Sequence, residues 1–378
     1  MSVLPGWSRL LLIGALLAAL SGCASMGYYW QSVSGHLELM RAARPVQEWL
    51  ADPRTGSDLK LKLELARKIR AFAVSDLGLP DNTSYQSYAD IGRSAVVWNV
   101  VAAPELSLEL QTWCFPIAGC VGYRGYFSED RARSEASRLK QQGLDVGVLP
   151  VPAYSTLGWL NWLGGDPLLS SFIRYQEDDL ARLLFHELAH QVIYVRDDTS
   201  FNESFASAVE QIGVQRWRAS RGLVAEPAQA MQRRARRAEF AALVEQTRLQ
   251  LRRVYAEHQS GRSSAERARQ DKSEVMSNFR ARYLGMRRSW ASATTGLAAE
   301  AAQATGLAAY DRWVENANNA SFAARASYEE WVPSFENLFK RENGRWSDFY
   351  DAVRRLSGLP KAERQEVLER MRKESQGG

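Results

Sequence analysis

The sequence predicts an α+β fold, mainly α, on three observations. Stretches with helical apolar spacing fill most of the chain, from Leu61–Ala73 near the start to the aromatic-rich region around Trp313 and Phe335 near the end. Runs of β type are short and confined to the part between Ser94 and Val151. Directly after them come two consecutive helical stretches, Glu177–Val195 and a second opened by Thr199 or Ser200 as N-cap, so a small mixed sheet precedes a helix pair. A length of 378 residues with 46% hydrophobic content allows one large or two moderate domains and a sizeable core.

In order, the elements divide the chain into five parts. Residues 1–22 read as a signal segment: Leu10–Leu20 is an apolar run preceded by Arg9, as long as a signal-peptide core and too short to span a bilayer. Residues 23–92 are expected to be helical, with Leu61, Leu63, Leu65, Ile69 and Phe72 leading to a break at Gly78-Leu79-Pro80. Within 93–222, Ser94–Ala102, Leu106–Cys114, Tyr123–Phe127 and Val146–Val151 read as strands, and Arg131–Gln142 as a helix stopped by Gly143. Residues 223–290 form an expected helical hairpin. Arg233, Arg234, Arg236 and Arg237 open it, Phe240, Leu243, Val244, Leu251 and Val254 give it one narrow apolar stripe, and Ser260-Gly261-Arg262-Ser263 is its turn. Residues 291–378 return to helix, with breaks expected at Thr294-Thr295-Gly296 and Ala304-Thr305-Gly306.

The chemistry is concentrated in His186-Glu187-Leu188-Ala189-His190, an HExxH motif inside the predicted Glu177–Val195 helix. Residues four apart share a helix face, so two imidazoles can grip one ion while Glu187 projects beside them toward a bound water. With four His in the chain, chance would produce the motif on the order of a few times in a thousand such sequences. Glu203 follows His190 after twelve intervening residues, on the second helix, where it can face the His pair. Two His and one Glu form a catalytic zinc set that leaves a coordination position open, so His186, His190 and Glu203 are the expected ligands of one Zn2+ per chain. Glu187 is the expected general base, taking a proton from the attacking water and returning it to the leaving amine. Asp197, Asp198 and Glu210 are candidates to hold a ligand imidazole by its other nitrogen, against the alternative of solvated acids near helix ends. The order of sheet, HExxH helix and Glu helix is that of a zincin-like catalytic core. In such a core an edge strand beside the metal pairs with the substrate, a place Val146–Tyr154 can supply. Tyr154 is then the expected oxyanion donor, in competition with Tyr123, Tyr194 and Tyr328.

The three cysteines divide by position. Leu20-Ser21-Gly22-Cys23 resembles a bacterial lipobox, so Cys23 is the expected lipid-bearing residue, with an ordinary secreted chain as the alternative. Cys114 and Cys120 remain as a pair for a disulfide in an oxidising compartment, or as two reduced thiols. The formal net charge of +5 owes much to the hairpin, whose arginines are interleaved with acids. Nucleic acid is not an expected partner of an exported chain. An anionic lipid surface, a lid over the cleft or a solvated face each fit the hairpin better. Asn316, Asn318 and Asn319 could face the cleft or cap a helix. His36 and His258 are set aside as ligands.

The Asn202-Glu203-Ser204-Phe205-Ala206 run resembles the third-ligand motif of gluzincin aminopeptidases. More of the chain is similar to a family of predicted zinc-dependent aminopeptidases of Gram-negative bacteria. The stretches that carry this are Gly27-Tyr28-Tyr29, Trp98 to Pro104, Trp113-Cys114-Phe115-Pro116, Gly119 to Phe127, Ala153 to Gly158, the zinc segment, and Val332-Pro333-Ser334-Phe335-Glu336. The resemblance implies zinc-dependent aminopeptidase activity on peptide or protein substrates. With no acidic residue at Ala24 or Ser25, it also implies lipid anchoring at the periplasmic face of the outer membrane. A membrane-tethered zinc endopeptidase acting on envelope proteins, and a non-catalytic envelope assembly or chaperone lipoprotein, stay open beside it.

Overall fold

The computed structural model describes residues 27–115, 119–156, 164–223, 228–292 and 297–376. The predicted signal run, Cys23 and the break at Thr294-Thr295-Gly296 lie outside the described residues. Helix accounts for 64% of the chain beside small sheets, which is the mainly α form of α+β that the sequence predicts.

Helix α1 covers 27–42. It is followed by β1 (Arg44–Pro45), α2 (Val46–Ala51), α3 (Ser57–Ser75), β2 (Ser87–Ala89), β3 (Val97–Pro104), β4 (Trp113–Phe115), β5 (Gly119–Val121) and β6 (Arg124–Tyr126). Then come α4 (Glu129–Gln141), β7 (Leu144–Val151), β8 (Leu168–Leu169), α5 (Glu177–His190) and α6 (Thr199–Ser220). The second half is helical: α7 (Ala228–Gln259), α8 (Ala265–Ser292), α9 (Leu297–Glu315), α10 (Asn319–Glu329), α11 (Val332–Arg341), α12 (Trp346–Ser357) and α13 (Lys361–Gln376). The central sheet has the order β6-β3-β7 and is antiparallel throughout, with Val100 opposite Arg124 on one side and Val148 on the other. A second small sheet, β1-β2-β8, and the β4–β5 hairpin complete the β structure among the described residues. No described helix is long and apolar enough to cross a membrane.

One buried cluster runs from Leu39 to Leu368, so α3, α5, α6 and the C-terminal helices share a single core. Helix α5 supplies Leu180, Ala181, Leu184, Phe185, Leu188 and Ala189 to it, and α6 supplies Phe201, Phe205, Ala206, Ala208, Val209, Val214 and Trp217. Gly213 lets the two helices approach, since a Cβ there would sit 2.9 Å from both Leu77 and Phe185. A separate cluster fills the seam of the α7–α8 hairpin with Phe240, Leu243, Leu251, Tyr255, Phe279 and Tyr283, and reaches α9 and α10 through Leu307, Val314 and Phe322. Helix α10 joins the hairpin to the central sheet, because its Phe322 lies in the hairpin cluster while its Ala320 and Ala324 pack on Val101 and Ala103 of β3.

Several expectations are corrected by packing. Leu106–Cys114 is a strand only from Trp113, because Leu106 and Leu108 leave the sheet to pack on the hairpin cluster. Helix α9 runs straight through Ala304-Thr305-Gly306, where a break was expected; Leu307, Tyr310 and Val314 hold it against the same cluster, and tertiary packing overrides the local signal. Helix α5 ends at His190, not Val195. The cap of α6 is Asp198, whose carboxylate accepts from Phe201 N–H, and neither Thr199 nor Ser200.

Candidate metal centre

The last turn of α5 delivers His186, Glu187 and His190, and the second turn of α6 delivers Glu203. The link between the helices is fixed by Asn202. Its side-chain amide accepts from Val195 N–H and donates to Val195 C=O, both at 2.7 Å, as a neighbouring strand would. This clamp sets the turn that points the next residue, Glu203, at the histidines.

The three side chains meet at a triangle of atoms. His186 Nε2 lies 3.2 Å from His190 Nε2 and 3.3 Å from Glu203 Oε2, and His190 Nε2 lies 3.5 Å from the same oxygen. Ligands held about 2.0–2.1 Å from a tetrahedral ion lie about 3.3 Å from one another, so the triangle has the edge lengths of one face of a tetrahedral zinc site. Glu210 Oε2 sits 3.0 Å from His186 Nδ1, so once the ring is neutral a hydrogen kept on Nδ1 leaves the Nε2 lone pair facing the triangle. Three electron-pair donors facing one point fit a cation, and the group can hold a metal ion.

Electrostatics carry the same preference for positive charge. Burial lowers the His186 pKa, but the Glu203 and Glu210 carboxylates outweigh it and hold the imidazole well above its ordinary value. Glu203, although burial pushes its carboxyl up, is held down to about 2 by His190 and His186. Glu187 is shifted upward by burial, with the histidines pulling the other way, and its carboxylate is hydrogen-bonded to Ser155. The Tyr328 ring lies nearly parallel to His186, 6.3 Å between centroids, and the Glu203 charge followed by burial drives its hydroxyl pKa well up. Burial and then Glu203 also raise Tyr123, and they push Tyr194 up to about 12.

Not every expected residue joins this group. The Tyr154 ring packs between His36 and Phe127, and among the charges it feels Asp166 rather than Glu203. Strand β7 is an edge of its sheet, but Asn318 Nδ2 takes its Val146 carbonyl while capping α10. Asn319 is buried and accepts from Tyr255 O–H while donating to the Pro104 and Glu105 carbonyls, which staples the hairpin to the sheet. Of the three acids considered as partners of a ligand imidazole, Glu210 has that place. Asp198 caps α6 and pairs with the buried Arg364, and Asp197 accepts from Cys120 N–H at 2.6 Å. Cys114 and Cys120 face each other across β4–β5 with their sulfurs bonded, which pins the strand preceding Tyr123 beside the α5–α6 turn.

A polar group near Glu187 escaped the sequence reading. Asp166, raised to about 6 by burial, accepts from Thr156 N–H at 3.0 Å, and Gln191 donates to Ser84 at 3.2 Å and to Asp166 at 3.4 Å. Tyr85 lies in the same neighbourhood, left-handed at φ +63°, its buried hydroxyl without a partner among the described residues. The position of Gln191 directly after the motif was the one available signal.

A family model described as "Putative aminopeptidase" matches residues 27–368. The chain belongs to that aminopeptidase family. The match takes in the sheet, α5 and α6, the hairpin and most of the C-terminal helices, so it extends over the whole body and not the motif alone. No curated protein and no solved structure matches.

Proposed function

We propose that this family member is a zinc-dependent aminopeptidase with a zincin-like core, in which His186, His190 and Glu203 hold one zinc ion. The triangle of donor atoms carries the reading, because its edges of 3.2–3.5 Å suit zinc. Bound there, zinc supplies Lewis acidity and draws the pKa of an attacking water toward neutrality. Glu187 then receives the water proton at its carboxylate and passes it to the leaving amine; the upward shift imposed by burial makes it a readier acceptor. Ser155 orients that carboxylate. Glu210 keeps His186 in the tautomer that binds.

The oxyanion donor in this reading is Tyr328, in place of Tyr154. A phenol that stays protonated can donate a hydrogen bond to developing negative charge, and the Glu203 charge keeps Tyr328 protonated beside His186. The proposed setting is the periplasmic face of the outer membrane, with Cys23 acylated.

Bound metal and hydrolysis of free-amine and amine-blocked peptides, measured on the wild type, Glu187→Gln and the His186→Ala/His190→Ala pair, test this. We expect near-stoichiometric zinc in the wild type and in Glu187→Gln, none in the double variant, and a loss of about 10²–10⁴-fold in kcat for Glu187→Gln. Cleavage of amine-blocked peptides would transfer the reading to an endopeptidase. A wild type that binds no metal would leave only the scaffold reading.

A further inference from the structure

Helix α1 is apolar on two opposite sides. At about 100° per residue, Tyr28, Gln31, Gly35 and Leu39 fall together, and this side is used by the fold. Leu39 enters the main core, and Tyr28 packs on Phe115 and Tyr126 with centroids 5.6 and 5.5 Å away. Gln31 accepts from Phe127 N–H and donates to Gly125 C=O, which covers the outer edge of β6. Gly35 is so close to the Phe127 ring that a Cβ would lie 2.3 Å from it.

The opposite side carries Tyr29, Trp30, Val33 and Leu37 within an arc of about 100°. They are 44%, 71%, 53% and 44% exposed. Folding requires one apolar stripe on a surface helix, and a second one facing solvent is a liability unless something covers it. Position in the chain says what does. Cys23, the proposed lipid-bearing residue, stands four positions before Gly27, so an extended linker separates the helix from the anchor by at most about 14 Å. The two aromatics, whose rings suit the headgroup level, are at the end nearest the anchor, and Val33 and Leu37 follow one and two turns on.

We propose that the Tyr29–Trp30–Val33–Leu37 face of α1 lies in the interfacial layer of the lipid surface that receives the Cys23 anchor. The helix rests in the plane of that surface, and its inner face, locked to β6, fixes how the catalytic body is turned on the membrane. The inference rests on the reading of Cys23 as acylated.

The test uses the full acylated protein extracted from envelopes and returned to vesicles of phosphatidylethanolamine and phosphatidylglycerol. Tryptophan emission of the wild type minus that of Trp30→Phe isolates one ring. Lipid brominated near the headgroup end of its chains should quench that difference signal by about twofold or more. An unquenched difference signal would overturn the proposal. In a Cys23→Ser background, changing Trp30, Val33 and Leu37 together to Ser should lower vesicle partitioning by about tenfold or more. If the triple change instead turns a dimer into a monomer and leaves partitioning as it was, a second copy covers the face and the proposal is wrong. The mass of the amino-terminal peptide reports acylation separately. Quenching without acylation would sink the anchor and keep the face, and acylation without quenching would do the reverse.

Discussion

Helices α5 and α6 and the α7–α8 hairpin are both rich in charge and handle it in opposite ways. Between α5 and α6, Glu203 and His190 are buried and His186 nearly so, with their charges aimed at one point. On the hairpin most charges are exposed and some pair locally, as in Arg267–Asp271 one helical turn apart, with Arg248 buried against Glu245 and Lys272 reaching Asp145 as exceptions, while a stripe of Phe240, Leu243, Leu251 and Phe279 does the packing. Composition alone ranks the hairpin as the more charged segment. The difference teaches that function follows desolvation, not density: a buried carboxylate is costly unless something positive meets it, whereas an exposed one is nearly free.

The sharpest stability contrast is Arg364→Ala. Arg364 and Asp198 are 4% and 3% exposed in their side chains, and Asp198 also caps α6. Removing the guanidinium leaves a buried carboxylate unpaired at the head of α6, so urea unfolding should show a loss of about 3–5 kcal/mol. A loss under about 1 kcal/mol would mean that water reaches Asp198, and the contrast with the hairpin would fail at its strongest point.

Tyr328→Phe comes next. It removes one hydroxyl and keeps the ring against His186, so kcat should fall about 10²–10³-fold with metal content unchanged. A fall of less than about tenfold would return Tyr123 and Tyr194, which also feel Glu203, to contention. Glu210→Gln should then weaken metal affinity by about 10–100-fold in a chelator titration, because His186 loses its charged partner. An unchanged affinity would show that the His186 tautomer is set without Glu210.

Legibility in the sequence follows the same division. His186, Glu187 and His190 could be read because helical spacing alone puts them together, and Glu203 because a tight turn leaves it few other places. The hairpin was legible almost to its ends, Ala228 and Ser292, since an isolated helix pair obeys its own periodicity. What depends on distant parts of the chain was not legible. The end of α5 at His190 is set with Asn202, seven residues beyond Val195, and the course of Leu106 and Leu108 is set by a hairpin more than a hundred residues later. Tyr328 could be named only as one of four tyrosines, because its place over His186 depends on α10 packing on β3 and α6 at once. Asp166 and Gln191 come together through the fold alone.

The smallest expected effect is as informative as the largest. Arg267 and Asp271 are four apart on α8 with Nε and Oδ1 2.9 Å apart, a geometry that by distance alone matches the buried Arg364–Asp198 contact. The Arg267 side chain is 67% exposed, so water screens the pair and the long side chain loses rotamer freedom in holding it. Arg267→Ala should therefore shift stability by no more than about 0.5 kcal/mol and leave metal content and activity where they were. If it costs as much as Arg364→Ala, the hairpin's charges hold the fold together, and the cluster of Phe240 and Phe279 beneath them cannot be what keeps α7 on α8. If the cost is near zero, two contacts of similar length will differ by several kcal/mol chiefly through burial, the same physics that suits the buried Glu203 to meet a cation and leaves the Arg267–Asp271 pair with little to contribute.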